Sequence, residues 1–185
     1  MAEFFDEISP KLEKFIDDQK IFFVGTAGVE GRVNVSPKGG DSLRVLGPNK
    51  VAWQNLTGSG NESSAHVQQN GRMTIMFCAF EGAANILRLY GEAQVVHHLD
   101  ENWEELIGLF PEHPGSRQVF VLDVDLVQTS CGYSVPFYDY KEDRTVLDKW
   151  TERKNKGEIE AYWAQKNAVT IDGYETNIIE KNVGV

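Results

Sequence analysis

Two turns, too short to cross a sheet, limit the fold of this chain more than any other feature. Lys20-Ile-Phe-Phe-Val-Gly-Thr-Ala27 leads through Gly28-Val-Glu-Gly31 into Arg32-Val-Asn-Val-Ser36, which alternates with the two-residue period of a strand. Ser42-Leu-Arg-Val-Leu46, the turn Gly47-Pro-Asn49 and the run from Lys50 to Leu56 repeat the pattern. Parallel neighbours need a crossover of roughly a dozen residues, so these connections make antiparallel hairpins. Pro37-Lys38-Gly39-Gly40 ends the second strand, because proline cannot donate to a central ladder.

Later runs extend the sheet. Arg72 to Phe80 is apolar on both faces, as a central strand would be. Asn85 to Val96 is a long strand with Gly91 inside it, which marks a bulge or a sharp bend at a barrel corner. From Gln118 to Gln128 the pattern places Val119, Val121, Asp123 and Asp125 on one face and Phe120, Leu122, Val124 and Leu126 on the other.

Helical signals are fewer. Ser9-Pro10 opens a short helix over Lys11–Asp18 that turns Leu12, Phe15 and Ile16 inward, with Phe4 and Phe5 packed on the same body. Glu101 to Phe110 reads as a helix, as do Thr145 to about Lys156 and Glu158 to Lys166; the tail to Val185 reads as extended or mobile. Six or so strands, joined largely by hairpins, predict a mainly β domain built on a closed or nearly closed antiparallel sheet with flanking helices. At 185 residues one domain is expected, with a core over about 15–136 and a helical C-terminal extension over about 143–172.

The stretch Val51 to Ala65 leaves a strand, passes Thr57-Gly58-Ser59-Gly60 and opens a helix at Asn61 that runs to Asn70-Gly71. Glycines let backbone N–H groups approach a ligand closely, and a fresh helix N-terminus adds unpaired donors and a positive dipole end. The stretch therefore reads either as a phosphate cradle or as a strand-to-helix turn capped by Asn61 or Ser63. Charge favours the cradle. Between Arg32 and Tyr90 six basic residues (Arg32, Lys38, Arg44, Lys50, Arg72, Arg88) face three acidic ones (Asp41, Glu62, Glu81), in a chain whose net charge is −10. A local positive stretch in an acidic protein suits a small anion, while the overall charge argues against nucleic acid.

Other chemistry is poorly supported. Gly58-x-Gly60 with Glu81 some twenty residues on imitates a dinucleotide fingerprint, but Ser63 replaces the third glycine and hairpins replace the βα repeats. No Gly-Lys-Ser/Thr follows the glycines. His97 and His98 point to opposite faces of a strand and read as surface residues at its end, so no metal site is expected. Cys131 reads as a small buried side chain in a Gly-flanked turn, and with Cys78 as a reduced thiol. No apolar run nears the roughly 18 residues of a membrane span, and the acidic start Met1-Ala-Glu-Phe-Phe-Asp-Glu7 resembles no leader, so a cytoplasmic protein is expected.

Five motifs, in order, resemble the pyridoxamine 5′-phosphate oxidase-like flavoproteins, whose fold is an FMN-binding split β-barrel. They are Arg32-Val-Asn-Val-Ser-Pro-Lys-Gly39, Leu56-Thr-Gly-Ser-Gly-Asn-Glu-Ser63, Asn70 to Gly82, Arg88-Leu-Tyr-Gly91 and Ser130-Cys-Gly-Tyr-Ser-Val-Pro136. The resemblance spans about Phe15 to Asp172 and is nearest to the oxidase-related branch. It implies a homodimer with FMN at the subunit interface and an oxidoreductase activity. Ser36, Pro37 and Lys38 would lie beside the flavin ring and ribityl chain. Gln54, Asn55, Thr57, Gly58, Ser59, Gly60, Asn61 and Ser63 would follow the ribityl and phosphate, with Lys38 or Arg72 supplying charge. Arg88, or Trp150 and Arg153, would close the partner's site. A non-catalytic carrier of flavin, deazaflavin or haem is the alternative. Two departures stand out. The phosphate loop reads Ser59-Gly60-Asn61-Glu62 where the B6 oxidases carry Arg-Lys, and their substrate-binding Arg-x-His occurs nowhere in this chain.

Overall fold

The computed structural model describes residues 2–184, and both predicted hairpins are present. Along the chain come β1 (Glu3–Phe5), α1 (Pro10–Asp18), β2 (Ile21–Ala27), β3 (Val33–Gly39), β4 (Leu43–Gly47) and β5 (Lys50–Leu56). Then follow α2 (Glu62–Asn70), β6 (Arg72–Cys78), β7 (Ile86–Val96), α3 (Trp103–Ile107) and β8 (Ser116–Ser130). The chain ends in α4 (Val146–Thr151), α5 (Lys156–Lys166) and α6 (Ile178–Val183).

The strands form one antiparallel sheet in the order β3-β2-β6-β7-β8-β5-β4, and β1 pairs with Val127–Thr129 of β8. β3 and β4 follow one another in sequence yet stand at opposite ends of the hydrogen-bonded path. The barrel is split between them. Inside it, Phe22, Val24, Trp53, Ile75, Phe77, Leu87, Leu89, Phe120 and Leu122 form the core, and Trp53 stacks on Phe120 at 4.5 Å. Each such side chain stabilises the fold by about 1.5–3 kcal/mol through burial. No helix is long and apolar enough to cross a membrane.

Local signals read from the sequence take physical form here. Ser9 Oγ accepts from Leu12 N (3.4 Å) to cap α1, with Pro10 at its first position. Gly71 ends α2 with φ 68°, a left-handed turn that favours glycine. At Gly91 the register of β7 on β8 shifts, and a Cβ there would overlap Asp123 O.

Four expectations need correction. The shift at Gly91 passes over Asp125, so the alternation of β8 changes phase and Val127, not Leu126, is fully buried. Phe4 and Phe5 do not pack with α1: they lie in β1 and are exposed, because that strand pairs along the edge of β8. The predicted helix from Glu101 to Phe110 is helical only over Trp103–Ile107, since Gly108 and Pro111 oppose propagation. The tail is docked, with Ile178 buried against Ile159 and Trp163. Thr176 Oγ1 donates to Asn167 O (2.6 Å) and Asn182 Nδ2 to Arg117 O (2.7 Å), bonds that no hydrophobic period announces.

Candidate functional site

The split in the barrel opens a cleft of about 640 Å³ between β3 and the loop that follows β5. β3 alternates along one wall: Asn34, Ser36 and Lys38 are half-buried, whereas Val33, Val35 and Pro37 are exposed. Gln54 and Leu56 form part of the floor, and Thr57, Gly58, Ser59 and Gly60 form the facing wall. Leu147, Ile171 and Asp172 reach it from the C-terminal segment. Asp172 accepts from Arg32 N (2.8 Å) and pairs with the Arg32 guanidinium at the mouth. That backbone N–H is the main cause that holds the Asp172 carboxyl below the usual range.

The glycine loop is fastened from behind. Thr57 Oγ1 donates to Gly115 O (2.8 Å) and accepts from Trp163 Nε1 (2.9 Å), and Asn167 Nδ2 donates to Gly58 O (2.9 Å). Thr57 therefore spends its hydroxyl on the fold, while Ser59 is exposed on the cleft side. Asn61 is the N-cap of α2 but makes no side-chain cap bond, so the first N–H groups of the helix are not satisfied by it. Asn61 itself is buried and turned toward Asn167 O (3.5 Å). Ser63 Oγ lies against Thr26 Oγ1 and Asn34 Nδ2, both at 3.2 Å, behind the cleft rather than in it.

Lys38 sits with Nζ 4.9 Å from the centre of the Trp53 ring. Burial, and then the positive charge of Arg117, lower its pKa to about 8. The Asn55 amide lies between Lys38 Nζ (3.4 Å) and Arg117 Nε (3.2 Å). Arg72 and Arg88 are not brought to the cleft. Arg72 is exposed and donates to Gly28 O (3.4 Å), and Arg88 on β7 donates to Ser130 Oγ (3.2 Å). Trp150 of α4 and Arg153 just beyond it line a separate depression.

Arg117 is the site residue that sequence reasoning missed. Asn55 pairs with Gln118 and Leu56 with Ser116, so Arg117 is the extra residue of a bulge at the start of β8. The bulge turns its side chain under the glycine loop, where it is 3 % exposed and Nη2 donates to Gly60 O (2.8 Å). Nη1 has no partner. Burial lowers its pKa to about 10, which leaves it cationic at neutral pH. An arginine heading an apolar alternating run was the available signal.

The histidines stand differently from the expectation. His97 is fully buried, not superficial: its Nε2 lies 3.0 Å from Gln118 Nε2, and burial lowers its pKa to about 4. His98 is half-buried between the rings of Trp103 (4.3 Å) and Trp163 (5.5 Å). The docked tail and α5 cover both, which a strand end alone could not reveal. Cys131 is exposed and Cys78 buried, and both are free. Among the described residues no group of three or more His, Cys, Asp or Glu side chains is placed to hold a metal.

Past Ser42, Gln54 and Leu147 the cleft continues into a wider groove of about 1380 Å³ walled by Phe23, Phe80, Tyr138 and Tyr140. Tyr138 N donates to Phe80 O (3.0 Å), which ties the covering segment to the loop after β6.

The family model of pyridoxamine 5′-phosphate oxidase matches residues 8–131. A curated relative, the pyridoxamine 5′-phosphate oxidase family protein ustO of Aspergillus flavus, is 36% identical over 191 residues, covering 94% of this chain and 77% of the relative. Two solved structures share the fold at low identity. A proposed pyridoxamine 5′-phosphate oxidase from Lactobacillus delbrueckii has a TM-score of 0.54 at 18% identity over 66% of this chain and 94% of its own. A single-residue variant of HupZ from Group A Streptococcus has a TM-score of 0.52 at 19% identity over 66% of this chain and 99% of its own. Motif order, split sheet and sequence identity agree: the chain belongs to the pyridoxamine 5′-phosphate oxidase family.

Proposed function

We propose that this protein is an FMN-dependent oxidoreductase that works as a homodimer in the cytoplasm. The observation that carries the flavin reading is the convergence of Lys38, Ser59, the Gly58–Gly60 backbone and the buried Arg117 on one cleft. Those groups fit a flavin phosphate: a hydroxyl, a glycine loop at a helix start, and two cations. His113, Tyr138 and Tyr140 line the adjoining groove, so it is the anion donors of the glycine loop that favour flavin over haem. When bound, the isoalloxazine supplies exchange of a hydride or electrons. The chain's own part is to bind, orient and tune. Ser36 and Lys38 would stand along the ring and ribityl side, with the Lys38 cation stabilising negative charge nearby. The aromatic-walled groove would admit the substrate.

The dimer has its own support. Val35 is 63 % exposed on the outer face of edge strand β3, opposite the half-buried Asn34, Ser36 and Lys38 of the cleft, and Val33 is 72 % exposed at the cleft rim. An apolar face beside an open site fits a second copy that completes it. The free thiols suit a reducing compartment.

An absorption spectrum of the purified protein, with mass spectrometry of what acid releases, tests the cofactor. Flavin bands and released FMN are the expected result. A colourless protein that takes up no added FMN overturns the reading. Sedimentation before and after Val35→Glu tests the dimer, which that change should dissociate.

A further inference from the structure

We propose that Arg117 is the buried counter-charge for a phosphate group in the cleft and makes the site select FMN over unphosphorylated riboflavin. Glu62 opposes it. The inference rests on the flavin reading above and adds a residue that the motifs of the resemblance do not contain.

Three observations meet at this side chain. The guanidinium is buried, yet none of the carboxylates among the described residues lies within 4.0 Å of it. Its Nη1 has no hydrogen-bond partner. It lines the cleft under the glycine loop, where a Cβ added to Gly58 would come within 4.0 Å of Nη2. A buried cation with no carboxylate partner is costly, and its bonds to Gly60 O and to the Asn55 amide are ones that neutral donors also make. Something must gain from the charge. A phosphate monoester at the loop does: it is a dianion or nearly so near pH 7, and a guanidinium binds it with charge-assisted hydrogen bonds.

Glu62 gives the arrangement a second sign. Its carboxylate folds back over Gly60, at the place a Cβ on that glycine would occupy, and it lines the same cleft. It is the acid that most offsets the burial of Arg117, although it does not pair with it. A phosphate beside Gly60 meets that like charge, so removing the charge tightens phosphate binding and leaves riboflavin unaffected.

Titration of the apoprotein with FMN and with riboflavin, read by flavin fluorescence, tests this without turnover. In Arg117→Gln the FMN affinity should fall by about tenfold or more, in the range of a lost charged hydrogen bond, while riboflavin affinity holds. A folded Arg117→Gln protein with an unchanged FMN-to-riboflavin ratio overturns the proposal. Should that variant fail to fold, Glu62→Gln decides: a ratio raised several-fold supports it and an unchanged ratio overturns it. Inorganic phosphate is the flavin-independent probe. A thermal midpoint raised by phosphate in the native protein but not in Arg117→Gln would keep the anion site even if no flavin bound, removing only the flavin reading. Neither flavin uptake nor stabilisation by phosphate would overturn both.

Discussion

Trp163 Nε1 donates to Thr57 Oγ1 at 2.9 Å, so a helix near the C-terminus holds the first residue of the glycine loop 106 positions earlier. Replacing Trp163 by Phe keeps most of the apolar contact and removes that bond. A cost of about 1 kcal/mol in urea unfolding is expected, against about 3–5 kcal/mol for Trp163→Ala. The Phe variant should also release flavin faster than the native protein. Equal release rates would mean that the loop does not depend on its fastening from behind.

Gly91 has no room for a side chain, because a Cβ would overlap the Asp123 carbonyl at the β7–β8 bulge. Gly91→Ala must open the ladder locally. A loss of about 1–3 kcal/mol is expected, the usual scale of overpacking. Denaturant midpoints at unchanged slope measure it, and a loss near zero would contradict the placement of the bulge.

His97 should make the protein acid-sensitive in a defined window. Burial holds its pKa at about 4 in the fold, below an ordinary value of 6.5. The unfolded chain therefore takes up this proton first. The contribution to stability is fully present above about pH 6.5, is lost as pH falls, and has gone once pH passes about 4. Its size is of order 3 kcal/mol for a shift of this extent. Unfolding free energies between pH 4 and 7 should be steeper for the native protein than for His97→Gln. Parallel curves would assign the acid sensitivity to other groups.

Lys38 should confer a pH dependence of the opposite kind on flavin binding. In the free protein burial and Arg117 lower its pKa to about 8, so it is largely charged at pH 7 and neutral by pH 9. A bound phosphate stabilises the charged form. FMN affinity is then nearly flat between about pH 7 and 8 and falls as pH rises above that, by up to about tenfold per unit. Lys38→Met should weaken FMN at pH 7 and flatten this profile. A native profile that is level from pH 7 to 9 would separate Lys38 from the phosphate and the ring.

Legibility from sequence followed the range of the interactions. Both hairpins, the cap at Ser9-Pro10, the stop at Gly71 and the bulge at Gly91 are local rules of turn chemistry and backbone conformation, and each was readable from a few neighbouring residues. The loop from Thr57 to Gly60 and the β3 end at Ser36 to Lys38 were readable for the same reason, and they do share one cleft. Among the remaining candidates the outcome depended on side-chain direction. Ser63 turns to Thr26 and Asn34, Asn61 to Asn167, and Arg72 to Gly28.

By itself the sequence determined an antiparallel sheet, its hairpins and a glycine loop, because periodicity and turn residues act within a few positions. Only the tertiary structure decided which charge sits under that loop. Arg117 arrives there because a single unpaired residue at the start of β8 rotates its side chain out of the alternating pattern. His97 is buried because a tail with no hydrophobic period docks through Thr176 and Asn182. Such placements depend on a register shift between paired strands and on side-chain bonds to backbone groups elsewhere in the chain, which the spacing of residues does not encode.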